Sequence, residues 1–100
     1  MILLTAKITI YPEKRARFLA LASELIADSR KEVGCHSYEL FEDAQQPNVF
    51  LFLERWQSQA HLDAHFKTPH FQSLSSTLPE LSAQAPVLSS YEVDADKASA

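Results

Sequence analysis

Residues 49–56 read Val-Phe-Leu-Phe-Leu-Glu-Arg-Trp, and in an extended chain Phe50, Phe52 and Trp56 point one way while Val49, Leu51 and Leu53 point the other. A strand that is apolar on both faces belongs in a sheet covered on two sides. The start of the chain repeats the constraint more weakly. Ile2, Leu4, Ala6, Ile8 and Ile10 alternate with Leu3, Thr5, Lys7 and Thr9, so one face is fully apolar and the other still carries Leu3. A chain of 100 residues has room for one domain with one core. The second cover must come from that same small domain or from another copy of it.

Tyr11-Pro12 ends the first strand, and Pro12 suits the first turn of a helix, where its missing N–H costs nothing. Glu13 near the start, with Arg30 and Lys31 near the end, agrees with the helix dipole. Phe18, Leu21, Ala22, Leu25, Ile26 and Val33 form the inward stripe, and Gly34, the only glycine, is expected at the left-handed C′ position that stops the helix. Residues 35–42 and 49–56 read as strands joined by the polar segment 43–48, an antiparallel hairpin. Ser58 is an N-cap for a helix over 59–67, and Thr68-Pro69 restarts a short helix from His70 to about Leu78 that Pro79 closes. Residues 87–93 make the last strand. The domain therefore spans 1–93, and the small polar stretch 94–100 is expected to be a disordered tail.

The order β-α-β-β-α-β predicts a ferredoxin-like α+β domain, a four-stranded antiparallel sheet with its helices on one face. Leu3, Val49, Leu51 and Leu53 would then face water on the other. Apolar surface of that extent predicts a homodimer through the open sheet faces, a dimeric α/β barrel.

A net charge of -4 without a Lys/Arg cluster argues against a nucleic-acid partner, which needs grouped cations. The apolar run at the start is broken by Thr5, Lys7 and Thr9 and has no basic flank, so neither a signal peptide nor a membrane span is expected. With a single cysteine, Cys35, that reads as a small buried hydrophobe, the expected location is cytoplasmic. One glycine leaves no phosphate-binding loop, so nucleotide cofactors such as NAD, FAD and ATP are not expected.

The chemistry-bearing residues concentrate in 54–71, which holds the only Trp and three of the four His. His65 follows Leu62 by three positions and shares the inward stripe of Leu62 and Phe66, so it faces the sheet. By pattern alone such a His is a core residue bonded to backbone, and Trp56 is core packing whose indole N–H needs a partner that a substrate or Glu54 supplies. His61 and His65 have the four-residue spacing of paired metal ligands, with His70 nearby. Leu62 stands where a zinc-protease motif has Glu and no Cys cluster accompanies it, so no metal site is expected. His70 is placed at a pocket rim, and His36, which shares the parity of Tyr38 and Leu40, at a strand or interface position. Glu39, Glu42, Asp43 and Glu54 are expected in solvated or salt-bridged surface roles.

The segment Glu54-x-Trp56-x-Ser58, followed by Leu62, His65 and Thr68-Pro69-His70, resembles the antibiotic biosynthesis monooxygenase family, and within it the quinol monooxygenases most closely. The Pro12 turn and Gly34-Cys35-x-x-Tyr38 extend the likeness over nearly the whole chain. The resemblance implies a homodimeric ferredoxin-like barrel that oxygenates a small aromatic substrate with O2 and without flavin, metal or other prosthetic group. It also implies that Trp56 lies on the helix side of the sheet, with Trp56 and His65 as catalytic pocket residues and Phe52, Tyr38, Leu62, Phe66 and His70 around the substrate. Some members hold substrate with an Asn on the sheet; here the only Asn is Asn48, and the matching first-strand position is Ala6. Haem degradation is therefore not expected, and stabilising an oxyanion falls to Tyr38, Ser37 or a backbone N–H.

The function implied is a cofactor-independent monooxygenase acting on a quinol-like or polycyclic phenolic molecule, with His65 helping to remove the phenolic proton. Two other readings use the same fold: a non-catalytic dimeric module that binds a small ligand, and an isomerase of a small carbonyl compound in which His65 moves protons.

Overall fold

The computed structural model describes residues 1–94, so of the expected tail only Asp94 lies within the described residues. The elements are β1 (Ile2–Thr9), a 3-10 turn (Pro12–Lys14), α1 (Arg15–Ser29), β2 (Cys35–Glu42), β3 (Val49–Trp56), α2 (Gln59–Phe66), α3 (Pro69–Leu81) and β4 (Val87–Glu92). The strands form one antiparallel sheet in the order β2-β3-β1-β4, the ferredoxin-like arrangement expected, with the two apolar strands in the centre.

Register and parity decide what meets what. Ile2, Ala6 and Ile8 lie opposite Trp56, Phe52 and Phe50, and all six are buried. Phe18 of α1 packs 4.9 Å from Phe50 and 6.2 Å from Phe52 between ring centroids, so this face of the sheet is the helix side. Leu62 of α2 and Leu74, Leu78 and Leu81 of α3 complete the core. On the opposite face Leu3, Val49, Leu51 and Leu53 are half-buried, while Phe41, Val87 and Tyr91 remain 49%, 60% and 54% exposed. No helix among the described residues is long and apolar enough to cross a membrane.

Several boundaries differ from the sequence reading. The inward stripe of α1 runs through Phe18, Ala22 and Leu25 to Ser29, where the helix stops; Val33 lies outside it and is 83% exposed. From there the chain makes tight turns, with Lys31 N–H to Asp28 O at 3.2 Å, Glu32 N–H to Ser29 O at 3.0 Å and Cys35 N–H to Glu32 O at 3.2 Å. Gly34 is left-handed as expected, at φ 86°, but it ends this turn instead of capping the helix. The α3 helix continues through Pro79 to Leu81. A proline there removes one late amide bond, and burial of Leu78 and Leu81 outweighs that loss. His36 does not share the side of Tyr38: the β2–β3 register shifts between Cys35 and Ser37, and this bulge turns His36 out to solvent while Tyr38 is buried.

The turn before β2 packs tightly on α2. A Cβ at Gly34 would lie 2.3 Å from His61 Cγ, in a backbone conformation that side chains with a Cβ resist. Gly34→Ala is therefore expected to lower unfolding stability by about 2–4 kcal/mol, from backbone strain plus overpacking. Urea titration of the variant checks this, and an unchanged midpoint would show that the turn relaxes freely.

Candidate active site

Two capped helix starts aim the histidines of this region. Ser58 accepts from the His61 N–H and begins α2, which carries His65 inward on the same side as Leu62. Thr68 donates through Oγ1 to the His65 carbonyl at 2.7 Å and accepts from the Phe71 N–H at 3.3 Å, so α3 starts one step later with His70 in its first turn. Across from them, β3 presents Phe52, Glu54 and Trp56 on one face, and β2 presents Tyr38. The α1–β2 turn brings in Glu32.

These side chains form one hydrogen-bonded group. Glu32 Oε2 lies 2.6 Å from His65 Nδ1 and 2.7 Å from His70 Nε2. A carboxylate only accepts, so Nδ1 of His65 carries the proton and Nε2 is left bare, facing the Tyr38 hydroxyl at 3.4 Å. Glu54 Oε1 accepts from the Trp56 indole at 3.0 Å and lies 4.0 Å from His65 Nε2. The Trp56 ring packs against the imidazole at 4.7 Å, and Tyr38 and Phe71 close around it at 5.4 and 5.1 Å.

Burial dominates the electrostatics. It pushes Glu54 up to about 7, against the downward pull of its bonds from Trp56 and Tyr38, and the Glu32 charge adds to the rise. It holds His65 below the usual imidazole range although Glu32 opposes this. Burial, helped by Glu54, raises Tyr38, which stays a hydroxyl. Cys35 is pushed up to about 11 by burial and by Glu32 and Glu54, so it is an unreactive thiol.

A cavity of 140 Å³ opens beside this group, walled by Phe52, Tyr38, Phe66, Phe71, Leu74 and Leu88, with Glu54 the one carboxylate among the described residues that line it. Of the residues singled out from sequence, Phe52, Tyr38 and Phe66 line it. His65 and Trp56 stand immediately behind Tyr38 and Glu54; Leu62 is in the core, and His70 lies farther out beyond Glu32. His61 instead pairs with Ser58. A wider shallow groove of 490 Å³ continues from the mouth along Ser75, Leu78, Pro79 and residues 82–86, with no titratable group among the described residues that line it.

One carboxylate escapes the sequence reading and a second is half read, since Glu54 is named there as a partner for the Trp56 indole, as found, yet placed at the surface. Glu54 was assigned to the surface and is 3% exposed. Its parity with Phe52 and Trp56 was the available signal. Glu32 had no comparable signal, because the continued helical pattern through Val33 hid the turn that directs it inward.

The Glu54 shift has a stability consequence. A carboxyl raised in the folded state favours folding fully below its ordinary pKa of 4.5, and that contribution is lost as pH rises through about 7. Glu54→Gln imitates the protonated form and keeps an acceptor for Trp56. Relative to wild type it is expected to gain about 3 kcal/mol on going from pH 4.5 to pH 8. Denaturation of both proteins at the two pH values measures the change; parallel curves would mean that Glu54 ionises without penalty.

The whole constellation lies in the part of the chain where similarity to known proteins is found. The antibiotic biosynthesis monooxygenase profile matches residues 1–75. Uncharacterized protein sll1783 of Synechocystis is 38% identical over 92% of this chain, which spans 63% of that protein's length. "Probable quinol monooxygenase YgiN" of Escherichia coli is 30% identical over 78% of this chain and 85% of its own. A crystal structure of an antibiotic biosynthesis monooxygenase superposes with a TM-score of 0.88 at 32% identity, covering 94% of this chain and 99% of the other. Sequence profile and fold thus agree, and the chain belongs to the antibiotic biosynthesis monooxygenase family.

Proposed function

We propose that this protein is a monooxygenase that uses O2, without a prosthetic group, to oxidise a quinol-like or polycyclic phenolic molecule. The observation that carries this reading is the aromatic-walled cavity with Glu54 and Tyr38 as polar groups at its inner end, Ser75 toward the groove, and His65 directly behind Glu54 and Tyr38. At 140 Å³ it falls below the ~300 Å³ lower end of ordinary small-molecule sites, and an engineered cavity of about 150 Å³ takes up benzene. One ring fits the enclosed part; further rings of a polycycle extend past Leu88 into the open groove.

The chemical difficulty is that triplet O2 reacts poorly with closed-shell molecules, whereas a phenolate can surrender one electron to it. The protein's work is deprotonation and confinement. The Glu54 carboxylate accepts the phenolic proton, and Tyr38 donates to the resulting anion. His65 is the next proton acceptor inward, and its charge would be stabilised by Glu32 at 2.6 Å. Trp56 holds Glu54 in place, Phe52 and Phe66 enclose the ring, and Glu32, shared with His70, orients the imidazole from behind. Superoxide and the substrate radical combine at a ring carbon to a hydroperoxide, which loses water. A quinol plus O2 gives a hydroxyquinone plus H2O: one oxygen atom enters the product, the other leaves in water, and all four electrons come from the substrate.

The half-exposed apolar residues on the other sheet face support a homodimer formed there, in keeping with a cytoplasmic enzyme of this size. Sedimentation is expected to give a dimer, and Leu53→Glu a monomer, because the charge would be placed in the middle of the contact. A monomeric wild type would remove this part of the proposal.

Oxygen uptake with a panel of reduced quinols and polycyclic phenols, corrected for autoxidation, tests the reaction. Wild type is expected to consume O2 and yield an oxygenated product by mass spectrometry. His65→Ala is expected to lose about 10²-fold or more with its circular dichroism unchanged. Equal activity in the variant would remove His65 from the mechanism. Product formed anaerobically would identify an isomerase, and tight binding without product a ligand-binding module.

A further inference from the structure

The α1–β2 turn, the end of α2 and the first turn of α3 converge on one point. Oε2 of Glu32, Nδ1 of His65 and Nε2 of His70 lie within 4.8 Å of one another, with Oε2 central to both nitrogens. We propose that these three residues form a binding site for a first-row divalent transition-metal ion, Zn²⁺ or one of its neighbours in the series. The oxygenation described above passes through no metal, and an ion on His65 Nδ1 would replace the Glu32–His65 bond that it uses, so the site is assigned to the protein outside that reaction and is tested by binding alone.

Two imidazoles and one carboxylate form a donor set that zinc and non-haem iron sites use, with further positions left to water. Bonds of about 2.0–2.1 Å place tetrahedral donors ~3.3 Å apart. The present oxygen–nitrogen distances of 2.6 and 2.7 Å must therefore open by roughly 0.6 Å. The adjustment falls on Glu32 and His70, whose side chains are 14% and 19% exposed, and these also give the ion its way in. His65, with a fully buried side chain, stays in place.

A second observation concerns the opposite nitrogen of His65. Imidazoles that ligate metals through one nitrogen generally donate from the other to a carboxylate or a comparable acceptor. Nε2 of His65 faces the Tyr38 hydroxyl at 3.4 Å and Glu54 at 4.0 Å. Ligation of Nδ1 moves the ring proton to Nε2, where the Tyr38 hydroxyl is the nearest acceptor and Glu54 stands 4.0 Å away. His61, four residues before His65, takes no part, since its Nδ1 lies 2.8 Å from Ser58 Oγ.

Isothermal titration of chelator-treated full-length protein with ZnCl2, and separately with NiCl2, tests the site. One ion per chain is expected to bind saturably and to raise the thermal midpoint. Glu32→Gln and His70→Ala, the two accessible ligands, are each expected to weaken binding roughly tenfold or more, whereas His61→Ala and His36→Ala bind as wild type. Circular dichroism confirms that the variants are folded. Absence of saturable binding, or binding untouched by Glu32→Gln and His70→Ala, would overturn the proposal and leave the three residues as a hydrogen-bonded bridge.

Discussion

Glu54 carries a carboxylate into the layer between sheet and helices, where only 3% of the residue stays exposed and an ionised group costs several kcal/mol unless it is hydrogen-bonded. Much of the surrounding structure follows from that cost. The nearest donor is on the same strand and the same face: Trp56, two residues on, turns its indole N–H back at 3.0 Å. A phenylalanine there would fill similar space and leave the oxygen without this partner. Tyr38, on the neighbouring strand at the position that pairs with Glu54, supplies the second polar neighbour. The carboxylate sits high on its titration curve because these partners only partly offset burial.

His65 is the mirror case, a buried base whose charged form is disfavoured by burial and favoured by Glu32. The two groups lie 4.0 Å apart with opposite tendencies, Glu54 toward protonation and His65 toward neutrality. Both shifts favour the state in which Glu54 holds the proton and His65 is neutral, so a proton arriving at this pair rests on Glu54 first. The partners come from β2, β3, α2, α3 and the α1–β2 turn. The geometry therefore depends on the whole fold being in place, which explains how a small domain can hold a polar group of this size inside its core.

Much of this architecture was legible from period and parity. The alternation in β1 and β3, the Ser58 and Thr68 caps and the inward face of His65 are local rules, and the structure keeps each of them. The failures occurred where tertiary contacts override a local rule. Val33 continues the helical pattern, but the chain leaves the helix at Ser29. One inserted residue beside Ser37 reverses the side on which His36 points. Pro79 normally ends a helix, and here two buried leucines carry the helix past it. Glu32 was invisible for a different reason: its partners are 33 and 38 residues away, and no spacing rule reaches across such a distance. Glu54 was legible and was misread, because a general preference of carboxylates for water was given more weight than strand parity.

The cavity is asymmetric in a way that constrains how a ligand can lie in it. Glu54 and Tyr38 wall it beside the buried histidine, whereas Pro86 and Leu88, the latter 54% exposed, mark the side that meets the open groove. A molecule entering from the groove with its hydroxyl leading exchanges water for Glu54 and Tyr38 at that group, and its ring lies against Phe52, Phe66 and Phe71. Entering in the opposite sense would press apolar carbon onto a carboxylate and leave the hydroxyl at the groove side, where Ser75 stands among Leu78, Pro86 and Leu88. The polar wall thus selects orientation and the apolar wall selects shape. Among the described residues the groove outside is uncharged, so it places fewer demands on the rest of a ligand than the enclosed cavity places on the part it holds.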